Sequence, residues 1–422
     1  MKRRIVTGNF NVEEFWSDKK LATVPRINDS NTDIINECMQ ELMFVFCNDE
    51  DVLLTRERFD SSLKEYLSTI GFGFKDISLE SYNNDKANSE IFLLDKNNLF
   101  KNIYPQTKYS LELFGSLESA KLWSEENNIE YIAPDYEIVK KVNSKQFSYE
   151  LRKKLNLHYN SFIIENFEEF DEISKLFSSQ NKAFIIKELL GVSGKGNFIV
   201  NSELLLKYFC RYLNKQINNK KISFLLEEFL PKKFDFSCVA NISQYGDIRI
   251  LGVQKIVVLN TAYVGTQDSD RTLNDLLYKS NYFYIIENAC KELYLSGYYG
   301  PVCFDSMCLM NGKIIPIIEI NARYSMSQIK ISLDNKYKKD GSFSLLSQIN
   351  INNKDNSFNT QELLKSKIIF NGYKGVLPLS SNAVCSKIYS QSKGRLYYYI
   401  LADNKEDVFS FENSLNEMVK RK

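Results

Sequence analysis

At 422 residues, with 44% hydrophobic and 25% charged side chains, the chain is too long for a single core and has an ordinary globular composition, which excludes a disordered or membrane-embedded class. Its 54 basic and 53 acidic residues nearly cancel, removing the broad field that a nucleic-acid or anionic-membrane partner would use. Any anion must therefore be bound locally. The basic start MKRRIV has no apolar run behind it and no stretch approaches about 18 apolar residues, so the expectation is a cytoplasmic protein without signal peptide or membrane span.

The eight cysteines (Cys38, Cys47, Cys210, Cys238, Cys290, Cys303, Cys308 and Cys385) are scattered without a metal-binding spacing and read as reduced core thiols. The lone histidine, His158, reads as a surface residue and leaves little for a histidine metal site or a Ser-His-Asp triad. Through residues 1–135, apolar runs such as ELMFVFCN (41–48) and SEIFLLD (89–95) read as buried strands, and DSSLKEYLSTIGF reads as a helix between them. That alternation predicts an N-terminal α/β domain. Asn-rich connectors, YNNDKANSE and NINNKDNSFN, read as surface loops or boundaries.

A second domain is expected over 136–350. SKQFSYELRKKLNL predicts a helix with Ser144 as N-cap, starting at Lys145. FIIKE and NFIV read as strands around a glycine loop, SELLLKYFCRYLNKQI as a helix, and ISFLLEEFLP as a strand ending at a proline. FDFSCVANIS and DIRILGVQKIVVLN predict antiparallel strands, ENACKELYLSG a helix, and the segment 301–323 a hairpin around Asn311-Gly312. A small C-terminal α+β region is expected over 360–422. The fold class is α/β with α+β character.

The loop GVSGKGN (191–197) can bring backbone amides close to an anion through Gly191, Gly194 and Gly196. It is not a P-loop, because Leu189 stands where the first glycine is needed and Gly196 where Ser or Thr is needed. A strand follows it rather than a helix, against a dinucleotide fingerprint. What remains is a flexible flap or an ordinary hairpin turn. In PIIEIN, Glu319 and Asn321 are two residues apart, with Arg323 beyond them, so all three leave one face of an extended strand, and Asp305 lies on the preceding strand. Asp, Glu and Asn oxygens suit Mg²⁺ bridging phosphates. The alternative is a solvated sheet face, but both acids sit in apolar runs where an unpaired carboxylate is costly to bury.

Together these segments resemble the ATP-grasp ligases over about Ser144–Met326, in the family's own order. The resemblance implies an ATP-grasp fold with an N-terminal pre-ATP-grasp domain, and ATP and Mg²⁺ as cofactors, with Mn²⁺ as a substitute. It implies phosphate contacts from Lys145, Lys187 and the flap residues Gly191, Ser193, Gly194 and Gly196. LLEEFL resembles the adenine hinge, through Glu227, Glu228 and Leu230, and Asp235 in FDFS the ribose contact. Asp305, Glu319 and Asn321 match the metal ligands, and Arg323 the arginine that holds the transferring phosphoryl group, so Arg323 and Lys187 are the expected catalytic residues. Lys195 is either a solvated charge or a phosphate contact. PDYEIVKKVNSK, SGKGN, GYYGPVCFD and EINARYSM further resemble the pheganomycin-type peptide ligases and butirosin-type γ-glutamyl carrier-protein ligases. One departure is Cys303, where D-alanine ligases carry an arginine.

The implied activity is ADP-forming condensation of a carboxylate with an amine through an acyl phosphate, in peptide natural-product biosynthesis. Rival readings are loading of an amino acid onto a carrier protein as a thioester, and a non-catalytic nucleotide-binding module. Substrates would be small molecules or peptides, with no nucleic acid or membrane partner, and Arg249 and Lys255, on the strands expected to line the cleft, are candidate substrate contacts. Geometry adds one requirement. A two-residue Asn311-Gly312 turn would pair Asp305 with Ile318, so a shared cation needs a third loop residue, Asn311-Gly312-Lys313, or an equivalent bulge.

Overall fold

The computed structural model describes residues 3–26, 30–79, 91–94, 108–157, 159–191, 196–259, 262–352, 358, 360–384 and 393–420. The N-terminal part is a parallel sheet of β1 (Arg3–Thr7), β2 (Val52–Thr55), β3 (Lys75–Ser78), β4 (Tyr109–Leu113) and β5 (Glu130–Tyr131), in the order β3-β2-β1-β4-β5. Strand order reverses between β1 and β4, and such switch points open a crevice at the strand ends. The apolar run over 41–48 is not a strand. It falls in a 3-10 helix, Met39–Phe46, buried from Met39 to Val45. Likewise, 91–94 of the run SEIFLLD form a 3-10 turn. A wholly apolar run carries no periodicity, so it cannot tell a buried strand from a buried helical turn.

The helix Lys145–Lys154 begins as expected, with the Ser144 side chain accepting the Phe147 amide, and it leads into a four-stranded antiparallel sheet. This comprises β6 (Ser161–Ile164), β7 (Phe184–Glu188), β8 (Asn197–Val200) and β9 (Phe224–Glu228), in the order β6-β9-β7-β8. It has its own core, in which Phe170, Phe177, Phe184, Phe209 and Phe224 meet. An eight-stranded sheet follows, of β10 (Lys232–Ile242), β11 (Ile248–Leu259), β12 (Ala262–Asp268), β13 (Gly300–Leu309), β14 (Ile314–Asn321), β15 (Phe343–Asn352), β16 (Gly375–Pro378) and β17 (Lys393–Ala402). Its order is β14-β13-β10-β11-β12-β15-β17-β16, so the last two strands extend the same sheet. One face packs on the helix Tyr282–Leu295, where Tyr282 meets Phe236, and that core is continuous with the N-terminal one.

Among the described residues, no helix is long and apolar enough to cross a membrane. Cys38, Cys47, Cys210, Cys238, Cys290, Cys303 and Cys308 are free thiols, two of them half-buried. His158 and Cys385 lie outside the described residues.

Candidate active site

The β13–β14 hairpin sets the site. Leu309 closes onto the Lys313 carbonyl around Met310, Asn311 and Gly312, the last at φ +83°, which glycine adopts without strain. This frame alone would misalign the acids. Further along, the register shifts between Asp305 and Met307, where Pro316 lies in β14. Proline has no amide to give the ladder and is found at such bulges, and its carbonyl instead accepts Ser306 Oγ at 2.7 Å. The bulge restores the required pairing: Asp305 faces Glu319 and Cys303 faces Asn321.

Those side chains form a continuous polar row. Asn321 Nδ2 donates to Asp305 Oδ2 at 3.0 Å, and Arg323 Nη2 donates to Asn321 Oδ1 at 3.0 Å. Lys145 Nζ donates to Glu319 Oε1 at 3.0 Å. Burial and then the Glu319 charge push the Asp305 carboxyl up to about 7. Asp235, two positions from Ser237, which pairs with Asp305, lies on the same face and adds to that push, although its own carboxylate is paired with Lys232. Two carboxylates held face to face beside an amide oxygen are a hard-oxygen donor set that fits Mg²⁺. No cluster of three His, Cys, Asp or Glu side chains suited to a metal occurs among the described residues.

The smaller sheet brings the second lysine. Lys187 Nζ donates to Glu227 Oε2 at 2.5 Å, and Glu227 Oε1 accepts Arg152 Nη2 at 2.5 Å. Although burial opposes ionisation, the two cations hold the Glu227 carboxyl below its ordinary value. Glu228 points to the other side of the strand, taking Asn160 at 2.6 Å and Lys182 at 2.9 Å, so its side chain does not join Lys187. Leu230 is half-buried just past the strand. At the base of the glycine loop, a Cβ on Gly196 would come 3.2 Å from the Gly191 Cα, a tight contact that would push the two strands apart by a few tenths of an ångström. The Lys145 amide donates to the Leu189 carbonyl at 2.8 Å, joining that base to the helix. Ser193, Gly194 and Lys195 lie outside the described residues.

The two candidate substrate contacts fall on opposite faces of the sheet. Lys255 pairs with Phe236 in the sheet, whereas Asp305 pairs through Ser237 with Gln254, so Lys255 leaves the opposite face, over the Phe234 ring and paired with Asp270. Arg249 is exposed at the start of β11 and pairs with Asn241, which shares the face of Asp305. Neither lines the cavity of about 650 Å³ that opens beyond Arg323 and Tyr324, walled by β4 and by Tyr298 and Tyr299. Sequence reasoning missed three residues here. Arg152 lies seven residues after Lys145, two turns along one helix face, a signal that was readable. Glu13, whose carboxylate takes Arg323 Nε at 2.6 Å from 310 positions away, and Asn143, which bonds both the Ala322 amide and carbonyl, gave no local signal.

No family profile matches the chain. It is 28% identical over 218 residues to the [Butirosin acyl-carrier protein]--L-glutamate ligase of Niallia circulans, a match over 50% of this chain and 50% of that protein, so the aligned part spans about half the length of that curated relative. Among solved structures, an N5-carboxyaminoimidazole ribonucleotide synthetase in complex with ADP superposes over 98% of this chain and 96% of its own, with TM-score 0.56 at 12% identity. The biotin carboxylase domain of the 2-oxoglutarate carboxylase of Hydrogenobacter thermophilus, with MgADP, ADP and bicarbonate, matches 88% of this chain and 83% of its own, with TM-score 0.56 at 16% identity. With its paired sheets, two buried lysines and acidic hairpin, the chain has the fold of these two solved structures, the ATP-grasp fold.

Proposed function

We propose that the chain is an ATP-dependent ligase that converts a carboxylate to an acyl phosphate and joins it to an amine, releasing ADP and phosphate. The observation that carries this reading is the convergence of Lys145 and the Asp305–Glu319 pair on one face, with Lys187 held by Glu227 on the neighbouring sheet. A carboxylate is a poor electrophile, because attack adds charge to an anion and would expel oxide. Here a substrate carboxylate oxygen bonds to the γ-phosphorus as ADP leaves. The amine nitrogen then bonds to the acyl carbon, loses a proton, and phosphate departs. Lys145 and Lys187 supply positive charge where the phosphates sit, and Arg323 offers a planar, permanently charged donor beside Asn321. Asp305, Glu319 and Asn321 would hold Mg²⁺, which neutralises phosphate charge when bound. The cavity beyond Arg323 is of a size suited to the remaining substrate.

A second reading follows from the likeness to a ligase named for a carrier protein and glutamate: the acyl group passes to a carrier-protein thiol instead of a free amine. Incubation with ATP, Mg²⁺ and pools of amino acids, with and without carrier protein, separates the two by mass spectrometry of the condensed product. ADP is expected. AMP and pyrophosphate would exclude the acyl-phosphate route, and a product found only on the carrier would favour the second reading.

A further inference from the structure

Arg152 is 1% exposed and touches none of the groups assigned above to metal or phosphate except through Glu227. Its Nη1 donates to the Ile318 carbonyl at 3.0 Å, and its guanidinium lies 4.4 Å from the centre of the Tyr159 ring. Tyr159 is itself fixed by its hydroxyl on the Ile317 carbonyl at 3.0 Å. Arg152 is therefore anchored to β14, beside Glu319, while its other nitrogen reaches across to β9. Glu227 thus carries two cations, one on each oxygen. Only one is needed to neutralise it.

That surplus matters when a phosphate draws Lys187 away. A buried carboxylate stripped of its partner is strongly unfavourable, so a lone Lys187–Glu227 pair would resist the exchange. With Arg152 in place, Glu227 stays neutralised on Oε1 while Oε2 releases the lysine. We propose that Arg152 is a positioning residue that frees Lys187 to trade its carboxylate partner for an ATP phosphate oxygen. The inference rests on the reading of Lys187 as a phosphate contact.

The test is calorimetric binding of the magnesium complex of a non-hydrolysable ATP analogue, AMP-PNP, to the full chain. R152Q should weaken binding by about a hundredfold, the scale of an uncompensated buried charge. R152Q/E227Q should recover most of that loss, because no carboxylate is then stranded, and R152K, which keeps the charge, should stay within about tenfold of the parent. A merely structural role predicts the reverse order, with the double variant at least as defective as the single one. A double variant no tighter than R152Q, at unchanged circular dichroism and melting temperature, overturns the proposal. Should R152Q not fold, R152K decides alone, since a loss of about a hundredfold with the charge intact overturns it equally. The underlying reading fails differently: wild-type protein that does not bind the analogue, or K187M that binds it as wild type does, removes Lys187 from the phosphates whatever Arg152 does.

Discussion

Asp305 governs how the site answers to pH. Its carboxyl is pushed up to about 7 from an ordinary 3.8 by burial and by Glu319, so near neutrality it is only partly ionised in the metal-free chain. The folded value is raised, so this group's contribution to stability is fully present below the unfolded value of 3.8 and is lost as pH rises through about 7. A divalent cation needs the opposite state, both carboxylates ionised. The Mg²⁺ concentration giving half-maximal rate should therefore fall as pH rises through about 7. A Mg²⁺ requirement that is flat from acid to neutral pH would show that Asp305 does not titrate in the site. Glu319→Gln keeps the shape but removes the charge of a proposed metal ligand and the partner of Lys145. Turnover should drop by about 10- to 100-fold or more with the fold unchanged. Wild-type turnover in that variant at saturating Mg²⁺ would remove Glu319 from the site.

Among the elements, the base of the glycine loop offers a test that leaves the core untouched. A Cβ at position 196 would meet the Gly191 Cα at 3.2 Å and the Glu188 side chain at 3.3 Å, and Glu188 is committed to the Val24 amide at 2.8 Å. Gly196→Ala should splay the two strands and raise the KM for ATP while leaving the melting temperature within a few degrees, since the core of Phe170, Phe184 and Phe209 lies elsewhere. Unchanged KM would mean that the loop base is not part of the nucleotide site. What was legible from sequence divides along the same line. Elements with a local signature were readable: the Ser144 cap, the strands on either side of the glycines, and the spacing of Glu319, Asn321 and Arg323. The runs around Met39–Phe46 and Ile91–Leu94 were misread because uniform apolarity erases the period. The hairpin register was half legible. Its need for an extra residue followed from side-chain alternation, but the loop took Met310–Gly312 and a bulge at Pro316 made up the difference.

Across the whole molecule, the cavity beyond Arg323 joins the N-terminal sheet to the acidic hairpin, and its charge balance speaks to what it receives. Two guanidinium groups line it, yet both are already matched by carboxylates: Arg4 by Asp51, at 2.6 and 3.1 Å, and Arg323 by Glu13. Glu112 and Glu130 line it as well. Glu112 accepts the Tyr324 hydroxyl at 2.7 Å and lies 3.6 Å from Arg4. The charged lining residues balance, Arg4 and Arg323 against Glu112 and Glu130, and with Asp51 and Glu13 standing behind the two guanidinium groups these six residues sum to a net charge of −2. Tyr298, Tyr299 and Tyr324 line it too. A substrate entering here should therefore carry positive charge, as an amine with a second ammonium or guanidinium group does, and a second carboxylate should be disfavoured. Glu112→Gln keeps an acceptor for Tyr324 but removes the charge. It should raise the KM for a cationic amine about tenfold, the scale of a partly exposed ion pair, and leave the KM for ATP in place, because neither of the proposed phosphate contacts, Lys145 and Lys187, lines this cavity. Steady-state kinetics with a basic amino acid and an acidic one of similar length decides it. If the acidic amino acid is the better nucleophile, or if Glu112→Gln leaves the basic one unaffected, the negative wall does not select the substrate.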